Sequence, residues 1–241
     1  MVMNLLTLNL LTLSLCVLCF GAALRWATRD YARWVALGPG GLPHSPIGWL
    51  VMTGLRLFKR DGRNPHRLDA AQAAEGDQGY LGTVVRRQGM RPCVAPHPIP
   101  HRQLTDTISK DHLKRLQALF DDRVAANPES VQYKQSFFEK HHQAITLKDA
   151  RCGHVFALIS HGEIAHIHPS DGSMHMVLSP SDARQVLTHQ WGELHSLAGF
   201  MNRLPSTYAF IYAPRTEADF SVVERVLDAS IAFMAQRPRP E

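Results

Sequence analysis

The stretch that decides the fold is Glu163-Ile-Ala-His-Ile-His-Pro-Ser-Asp-Gly-Ser-Met-His-Met-Val-Leu178. Its centre, Pro169-Ser-Asp-Gly172, consists of turn-forming residues, so the segments on either side are predicted to pair as an antiparallel hairpin. With these four residues as the loop, His166 lies directly opposite His175, about 4.5–5.5 Å away at Cβ. Residues two apart in a strand share a face, which adds His168 to the pair. The pattern therefore predicts three imidazoles on one face of a sheet.

Three imidazoles on one face allow three interpretations. As a metal site, the cluster would offer neutral imidazoles, and His-x-His with a third histidine is suitable ligand chemistry. As a metal-free site, one histidine would act as a general base whose pKa is set by burial and neighbouring charges. The third interpretation is an inert, hydrogen-bonded polar patch. The residues alone do not decide among the three.

The residues before this hairpin predict a second one. His161-Gly162 is interpreted as a two-residue loop that joins a strand at residues 154–160 to the strand that follows. In that register the small Ala157 lies opposite His166 and leaves room for a ligand. Strict alternation places Glu163 on the face away from the histidines, where we expect a structural role.

Further upstream, residues 131–147 show partial alternation and are interpreted as a strand. Within it, Glu139 and His141 share a face, so the pair is a candidate for contacting a substrate if this strand lies next to the histidines.

Helix signals flank this central region. Ser109 begins a helix that Asn127-Pro128 stops, Ser179-Pro180 begins a second, and Thr216 begins a third. Between the last two, residues 207–213 predict a strand with three aromatic side chains on one face. Strands gathered centrally with helices on both sides predict an α+β fold with a mostly antiparallel central sheet and flanking helices.

The N-terminus predicts a transmembrane helix. Leu5 to Leu24 contains no charged residue, and twenty helical residues span about 30 Å, the thickness of a hydrocarbon core. A cleaved signal peptide is the alternative, although no Lys or Arg precedes the apolar run. Arg25, Arg29 and Arg33 follow it, so the positive-inside rule places the rest of the chain in the cytosol.

A second apolar stretch, Ile47 to Phe58, is too short to span a bilayer. Because it contains Trp49 and ends in Lys59-Arg60, it is interpreted either as an interfacial helix or as a plain core helix.

Composition narrows the class of protein. The chain has 241 residues, 45% hydrophobic and 20% charged, which excludes a disordered protein. Its 26 basic and 21 acidic residues give a net charge of only +5, too mild and too dispersed to indicate nucleic-acid binding. Four cysteines, two of them in the apolar N-terminus, do not form a disulfide framework.

We divide the chain into an anchor (1–24), a membrane-proximal wrapping segment rich in Gly and Pro (25–102) and an α+β domain (103–241).

Three motifs carry a resemblance to a known family. Glu163-Ile-Ala-His-x-His168, Trp191-Gly-x-x-His-x-Leu-Ala-Gly199 and Tyr212-Ala-Pro-Arg-x-Glu217 resemble the fungal luciferase family. His101-Arg-Gln103 and Ser136-x-Phe-Glu-x-His141 agree more loosely. The predicted N-terminal anchor is also a trait of that family, and the resemblance extends over nearly the whole chain.

The resemblance implies a membrane-anchored, luciferase-like α+β domain with oxygenase activity. Luminous members of the family are cofactor-independent and add O2 to a 3-hydroxylated styryl-pyrone, which then loses CO2. A histidine would remove the enolic proton of such a substrate, and the electron-rich anion would react directly with O2, so no metal and no cofactor are expected. Candidate catalytic residues are His166, His168, His175 and His195; candidate substrate-binding residues are Glu139, His141, Trp191, Tyr212 and Arg215.

The expected substrate is a small, flat, apolar and oxygenated molecule of pyrone or polyketide type. Two alternatives remain open: an enzyme of secondary metabolism that cyclises, isomerises or decarboxylates a polyketide without O2, and a non-catalytic membrane-bound scaffold. The expected partners are this substrate, membrane lipid through the N-terminal helix, and enzymes of the same pathway. We expect a single-pass protein of the endoplasmic reticulum or another endomembrane.

Overall fold

The protein is an α+β fold built around one antiparallel sheet, as predicted. The computed structural model describes residues 5–75 and 78–237. In that part of the chain the helices are α1 (Leu5–Val35), α2 (Pro46–Leu55), α3 (Asp69–Glu75), α4 (Lys110–Ala126), α5 (Val155–Ile159), α6 (Pro180–Thr188) and α7 (Glu217–Met234). The strands are β1 (Val131–Gln135), β2 (Gln143–Leu147), β3 (Glu163–Ile167), β4 (Met174–Val177), β5 (Gly192–Leu194) and β6 (Tyr208–Ile211).

The strands lie in the order β1-β2-β3-β4-β6-β5. His166 pairs with His175, which confirms the predicted register of the hairpin. The same row of partners continues across the sheet to Ala144 on one side and to Phe210 and Glu193 on the other. Since directly paired residues project to the same face, this single row lays out the polar face of the sheet.

The opposite face of the sheet carries the apolar core. Ala165, Met176 and Ala209 form the adjacent row of partners and are completely or almost completely buried. Helix α7 packs against β3 and β4 on this side, and α4 packs against α7 and β1. The predicted caps of α4, α6 and α7 are confirmed: the hydroxyls of Ser109, Ser179 and Thr216 each accept a hydrogen bond from a backbone N–H three residues later.

Residues 155–159 are helical, so the strand predicted at residues 154–160 is wrong. The side chain of His154 accepts a hydrogen bond from the backbone N–H of Phe156 at 3.2 Å and caps the short helix α5. Val-Phe-Ala-Leu-Ile is a continuous apolar run, which periodicity does not assign to helix or strand. As a result Ala157 does not pair with His166; the small residue beside that imidazole is Ala144 of β2.

Glu163 lies on the same face as the histidines, contrary to the prediction from strict alternation. Against β2, the strand β3 has one extra residue, Ile164, between the paired positions of Glu163 and Ala165. Such a β-bulge reverses the facing of the residues beyond it. The carboxylate of Glu163 consequently reaches the ring of His166.

Helix α1 has a long apolar part, and its last turns belong to the folded domain. Its residues Leu10–Val35 are long and apolar enough to cross a membrane. The helix continues past residue 24, and its last turns pack against the rest of the chain: Trp34 is buried and donates a hydrogen bond from Nε1 to the carbonyl of Ile99 at 2.7 Å. Asp30 accepts hydrogen bonds from Trp49 at 2.8 Å and Arg56 at 2.9 Å.

Asp182 holds the segment after α3 against α6, and its replacement tests this attachment. Its buried carboxylate accepts hydrogen bonds from the backbone N–H groups of Tyr80 and Leu81 at 2.9 Å each. Because Asp182→Ala leaves both N–H groups buried without these acceptors, we expect the free energy of unfolding to fall by about 2–4 kcal/mol, measured by denaturant titration. Asp122→Ala, on the exposed side of α4, is the control, with an expected change below about 0.5 kcal/mol. Equal losses in both variants would contradict the attachment.

Candidate functional site

A cavity of about 280 Å³ lies over the polar face of the sheet. This volume is just below the range of about 300–1,000 Å³ that is usual for small-molecule sites. Most of its wall area is apolar, although several polar side chains contribute to it. The lining residues used below are His101, Phe137, Glu139, Lys140, His175, His195, Leu55, Phe200, Arg203, Leu204 and Tyr208.

His101 is the central side chain of the cavity, although it comes from the Pro-rich loop before α4. Its ring stacks on Phe210, with centroids 4.0 Å apart. Nε2 lies 3.4 Å from a carboxylate oxygen of Glu193 and donates to it. With Nε2 as the donor, the acceptor position of the imidazole is Nδ1, which is buried and has no hydrogen-bond partner among the described residues. This nitrogen is therefore free to accept a proton from a ligand.

The carboxylate of Glu193 is ionised. Burial alone would raise its pKa, but hydrogen bonds from His101 and from the Tyr212 hydroxyl outweigh burial and lower the pKa below the ordinary value. Glu193 thus stabilises a positive charge on His101 when that ring takes up a proton.

His175 lies beside His101, with ring centroids 5.3 Å apart. Its Nδ1 donates to the backbone carbonyl of Ala209 at 3.1 Å, so Nε2 is the acceptor nitrogen. Burial, followed by the neighbouring His101, lowers the pKa of His175 well below the ordinary value and keeps the ring neutral. Its ring stacks nearly parallel on Tyr208, with centroids 4.5 Å apart.

The hydroxyl of Tyr208 is the second buried polar atom on the cavity wall without a partner in the described part of the chain. Burial and then Glu163 raise its pKa well above the ordinary value. Tyr208 therefore keeps its proton and presents a donor to the cavity.

His195 is held at both nitrogens. Nδ1 accepts a hydrogen bond from the backbone N–H of Leu197 at 3.1 Å. The ring also bonds to the backbone of Pro98, and since proline has no N–H, the ring must donate to its carbonyl from Nε2. Burial lowers the pKa of His195 well below the ordinary value. Its geometry suits shaping the cavity wall.

His166 and His168 lie behind His175, outside the cavity lining. The Nδ1 of His166 is 2.5 Å from Glu163, and its Nε2 is 3.1 Å from the Nε2 of His168. The Nδ1 of His168 is 2.9 Å from the hydroxyl of Ser173, which in turn donates to Asp171. These groups form a continuous buried chain of hydrogen bonds beside His175, whose ring centroid lies 5.4 Å from that of His166.

Glu139 reaches the cavity from a loop, because the predicted strand at 131–147 is in fact two strands joined by residues 136–142. Its carboxylate is buried and accepts hydrogen bonds from both terminal nitrogens of Arg102, at 2.6 and 3.3 Å. Arg102 also contributes, after burial, to lowering the pKa of His168.

Two residues predicted to contact substrate lie elsewhere. His141 is exposed at the end of the loop that carries Glu139 and does not line the cavity. Trp191 is buried in the core, where its Nε1 donates to the carbonyl of Val85 at 2.7 Å.

Tyr212 and Arg215 also lie outside this cavity. Tyr212 lines a separate polar groove together with Glu193, and its hydroxyl donates to that carboxylate at 3.1 Å. Arg215 bonds to Asp219 and to the carbonyl of Gln88, so it ties α7 to a surface loop.

Two groups of side chains have donor atoms close enough to surround a metal ion, all within 4.8 Å of one another: His101, His175 and His195, and Glu139, His166 and His168. In the first group, His195 already uses both nitrogens. In the second, the two histidines and one carboxylate are a suitable donor set, but Glu139 is paired with Arg102, whose positive charge opposes a cation.

Sequence reasoning missed His101, Arg102, Glu193 and Tyr208 as site residues. The motif His101-Arg-Gln103 matches the family only loosely, and it lies at the end of the Gly- and Pro-rich segment that is predicted to wrap over the domain. Tyr208 had a usable signal, since it belongs to the alternating aromatic face of the strand at 207–213. Glu193 had no usable signal in the sequence, because its position in the site depends on the pairing of β5 with β6.

Comparisons with known proteins agree on one family. A profile described as the luciferase domain matches residues 161–230. The chain is 30% identical to a luciferase of Armillaria ostoyae over 227 residues, 90% of this chain and 84% of the relative. It is 29% identical to a luciferase of Neonothopanus nambi over 222 residues, 87% of this chain and 82% of the relative. No solved structure matches the chain significantly.

The neutral, buried histidines make the stability of the protein dependent on pH. The folded-state pKa values of His168, His175 and His195 lie well below 6.5, so the unfolded chain binds more protons as the pH falls through that value. Stability is therefore complete above pH 6.5 and is lost below it, by up to about 1.4 kcal/mol per pH unit for each histidine.

We expect Tm, measured by differential scanning fluorimetry, to fall from pH about 7.5 to about 5.5, and to fall less steeply in His195→Asn. His141→Asn, at an exposed position, is the control and should retain the steep dependence. The explanation fails if the two variants show the same slope.

Proposed function

The chain belongs to the fungal luciferase family, and from this membership we propose that it adds O2 to a small, flat, apolar and oxygenated substrate of the hydroxylated pyrone type. The observation that carries the proposal is the apolar cavity with two polar groups that have no partner among the described residues: the acceptor Nδ1 of His101 and the donor hydroxyl of Tyr208. An enolic substrate offers the matching groups, one acidic O–H and one carbonyl or hydroxyl oxygen.

In the proposed reaction, His101 acts as the general base. Its Nδ1 takes the enolic proton, and the imidazolium is stabilised by the ionised Glu193 at Nε2. Neutral His175 offers a second acceptor 5.3 Å away between ring centroids. The hydroxyl of Tyr208 donates to an oxygen of the substrate and stabilises the anion.

The resulting enolate is electron-rich and transfers its electrons to O2, so that a carbon–oxygen bond forms and a peroxide anion results. The peroxide oxygen attacks the adjacent lactone carbonyl and expels the ring oxygen as an enolate. Cleavage of the O–O and C–C bonds of the resulting cyclic peroxide then releases CO2 and leaves a carbonyl group on the carbon that took up O2. The low polarity of the cavity wall supports these steps because it excludes water from the peroxide.

We propose that this reaction needs no metal and no organic cofactor, with O2 as the co-substrate. The contacts that support this are the engagement of both nitrogens of His195 by the backbone and the ion pair between Glu139 and Arg102. Elemental analysis of the purified full chain tests it. Less than one metal ion per ten chains is the expected result, as an order of magnitude for adventitious binding, and a stoichiometric transition metal would contradict the proposal.

We also propose that the protein is a single-pass protein of the endoplasmic reticulum or another endomembrane, with residues after α1 in the cytosol. The support is the apolar length of α1 and the three arginines that follow its apolar part.

Replacement of His101 tests the assigned base. Because His101→Gln removes the proton acceptor but retains a polar side chain, we expect kcat to fall by about 10²–10⁴-fold with an unchanged Tm. The measurement is O2 consumption and CO2 release with a 3-hydroxylated styryl-pyrone. His141→Gln, exposed and outside the cavity, serves as the control with wild-type turnover.

Three outcomes distinguish the alternatives. Product formation without O2 consumption would show a cyclase or isomerase, and no turnover by the wild-type protein would favour a scaffold. Full activity of a folded His101→Gln protein would remove His101 from the mechanism.

A further inference from the structure

Helix α2 and the turn after it display two faces of different character. One face is buried and includes Gly48 and Met52. The other is exposed and apolar: Ile47 is 72% exposed and Leu57 85%, with Leu50 at 60%, Phe58 at 50% and Val51 at 48%. These five residues recur at helical spacing and include no charge. We call them, together with the exposed Met201, the α2 surface.

The α2 surface lies at a defined position along α1. Trp49 and Arg56, at the two ends of α2, both bond to Asp30 of α1. The ring of Trp26 lies 6.3 Å from that of Trp49, and the guanidinium of Arg56 lies over it at 6.0 Å. α2 therefore crosses α1 at residues 26–30, immediately after the uncharged run that ends at Leu24.

If α1 spans a bilayer, residues 26–30 lie at the boundary between the hydrocarbon core and the headgroups. Tryptophan side chains prefer that depth, and arginine side chains reach from it to the headgroups. With α1 fixed in the bilayer, the exposed apolar side chains of α2 are held at the same depth, where lipid rather than water covers them.

The α2 surface adjoins the opening of the cavity. Leu55 of α2, Phe200 and Leu204 line the cavity, and the ring of Phe58 packs against Phe200 with centroids 4.8 Å apart. Exposed Lys140 and Arg203 stand at the same opening and complement the phosphates of a lipid surface.

We propose that the α2 surface is embedded in the leaflet that holds the end of α1, and that the cavity opens into this leaflet, so that an apolar substrate enters from the lipid. The inference rests on the proposed function only in the identity of the molecule that enters; the position of the opening follows from the packing of α2. An enzyme placed in this way takes up molecules that partition into membranes and disfavours polar, water-soluble ones.

Photo-crosslinking of the full chain in lipid nanodiscs tests the proposal without turnover. The probe is a phosphatidylcholine with a diazirine in the upper part of one acyl chain, and labelled tryptic peptides are identified by mass spectrometry. We expect labelling of residues 1–25 from α1, of residues 34–56 from α2, and of residues 185–203 from the rim of the cavity. Residues 152–184 provide an internal control, because they contain the similarly exposed Val155 and Leu158 on α5.

A pair of double variants completes the test. Leu50→Glu/Val51→Glu places two charges on the exposed face, and we expect loss of labelling in 34–56 and 185–203 with 1–25 still labelled. Val155→Glu/Leu158→Glu is the matched control and should keep the full pattern. Labelling confined to 1–25, or equal labelling of 152–184, would overturn the proposal, as would a dimer that buries α2 and protects it from the probe. None of these outcomes depends on whether the protein is an oxygenase.

Discussion

The pairing of His166 with His175 across β3 and β4 is the contact on which the site depends. It sets the row that runs from Ala144 through both histidines to Phe210 and Glu193. Because the side-chain period of a strand is two, a shift of β4 by one residue would send His175 into the apolar core and bring a methionine to the cavity. The turn at Pro169–Gly172 protects this register, since its backbone is itself bonded to His168.

The row also explains how a buried site accommodates many ionisable groups. Glu193 is held by His101 and Tyr212, Glu139 by Arg102, and Glu163 by His166 and Ser136. Burial keeps His175 and His195 neutral by lowering their pKa values. Each carboxylate therefore has a positive or donating partner, and the imidazole of His175 is available as an acceptor rather than as a fixed charge.

Local sequence signals were sufficient where local chemistry decides the structure. Turn residues gave the hairpin and its register, and capping residues gave the starts of α4, α6 and α7. Three features lay beyond such signals. The bulge at Ile164 depends on pairing with β2, which alternation within β3 does not contain. Helix α5 is an apolar run whose state depends on its surroundings. His101 reaches the cavity from a loop whose prolines indicate only that it is not helical, and its partner Glu193 lies more than ninety residues away in the chain.

The contacts of Asp30 and Trp34 have a practical consequence for obtaining the protein without a membrane. Trp34 bonds to Ile99, and Asp30 lies 3.2 Å from His97, so the last turns of α1 hold the loop that carries His101. A shortened chain that began after Val35 would lack the apolar helix. It would also lose the contacts that hold the loop carrying His101. A form without the apolar turns should instead begin near Arg25, which retains both side chains, Asp30 and Trp34.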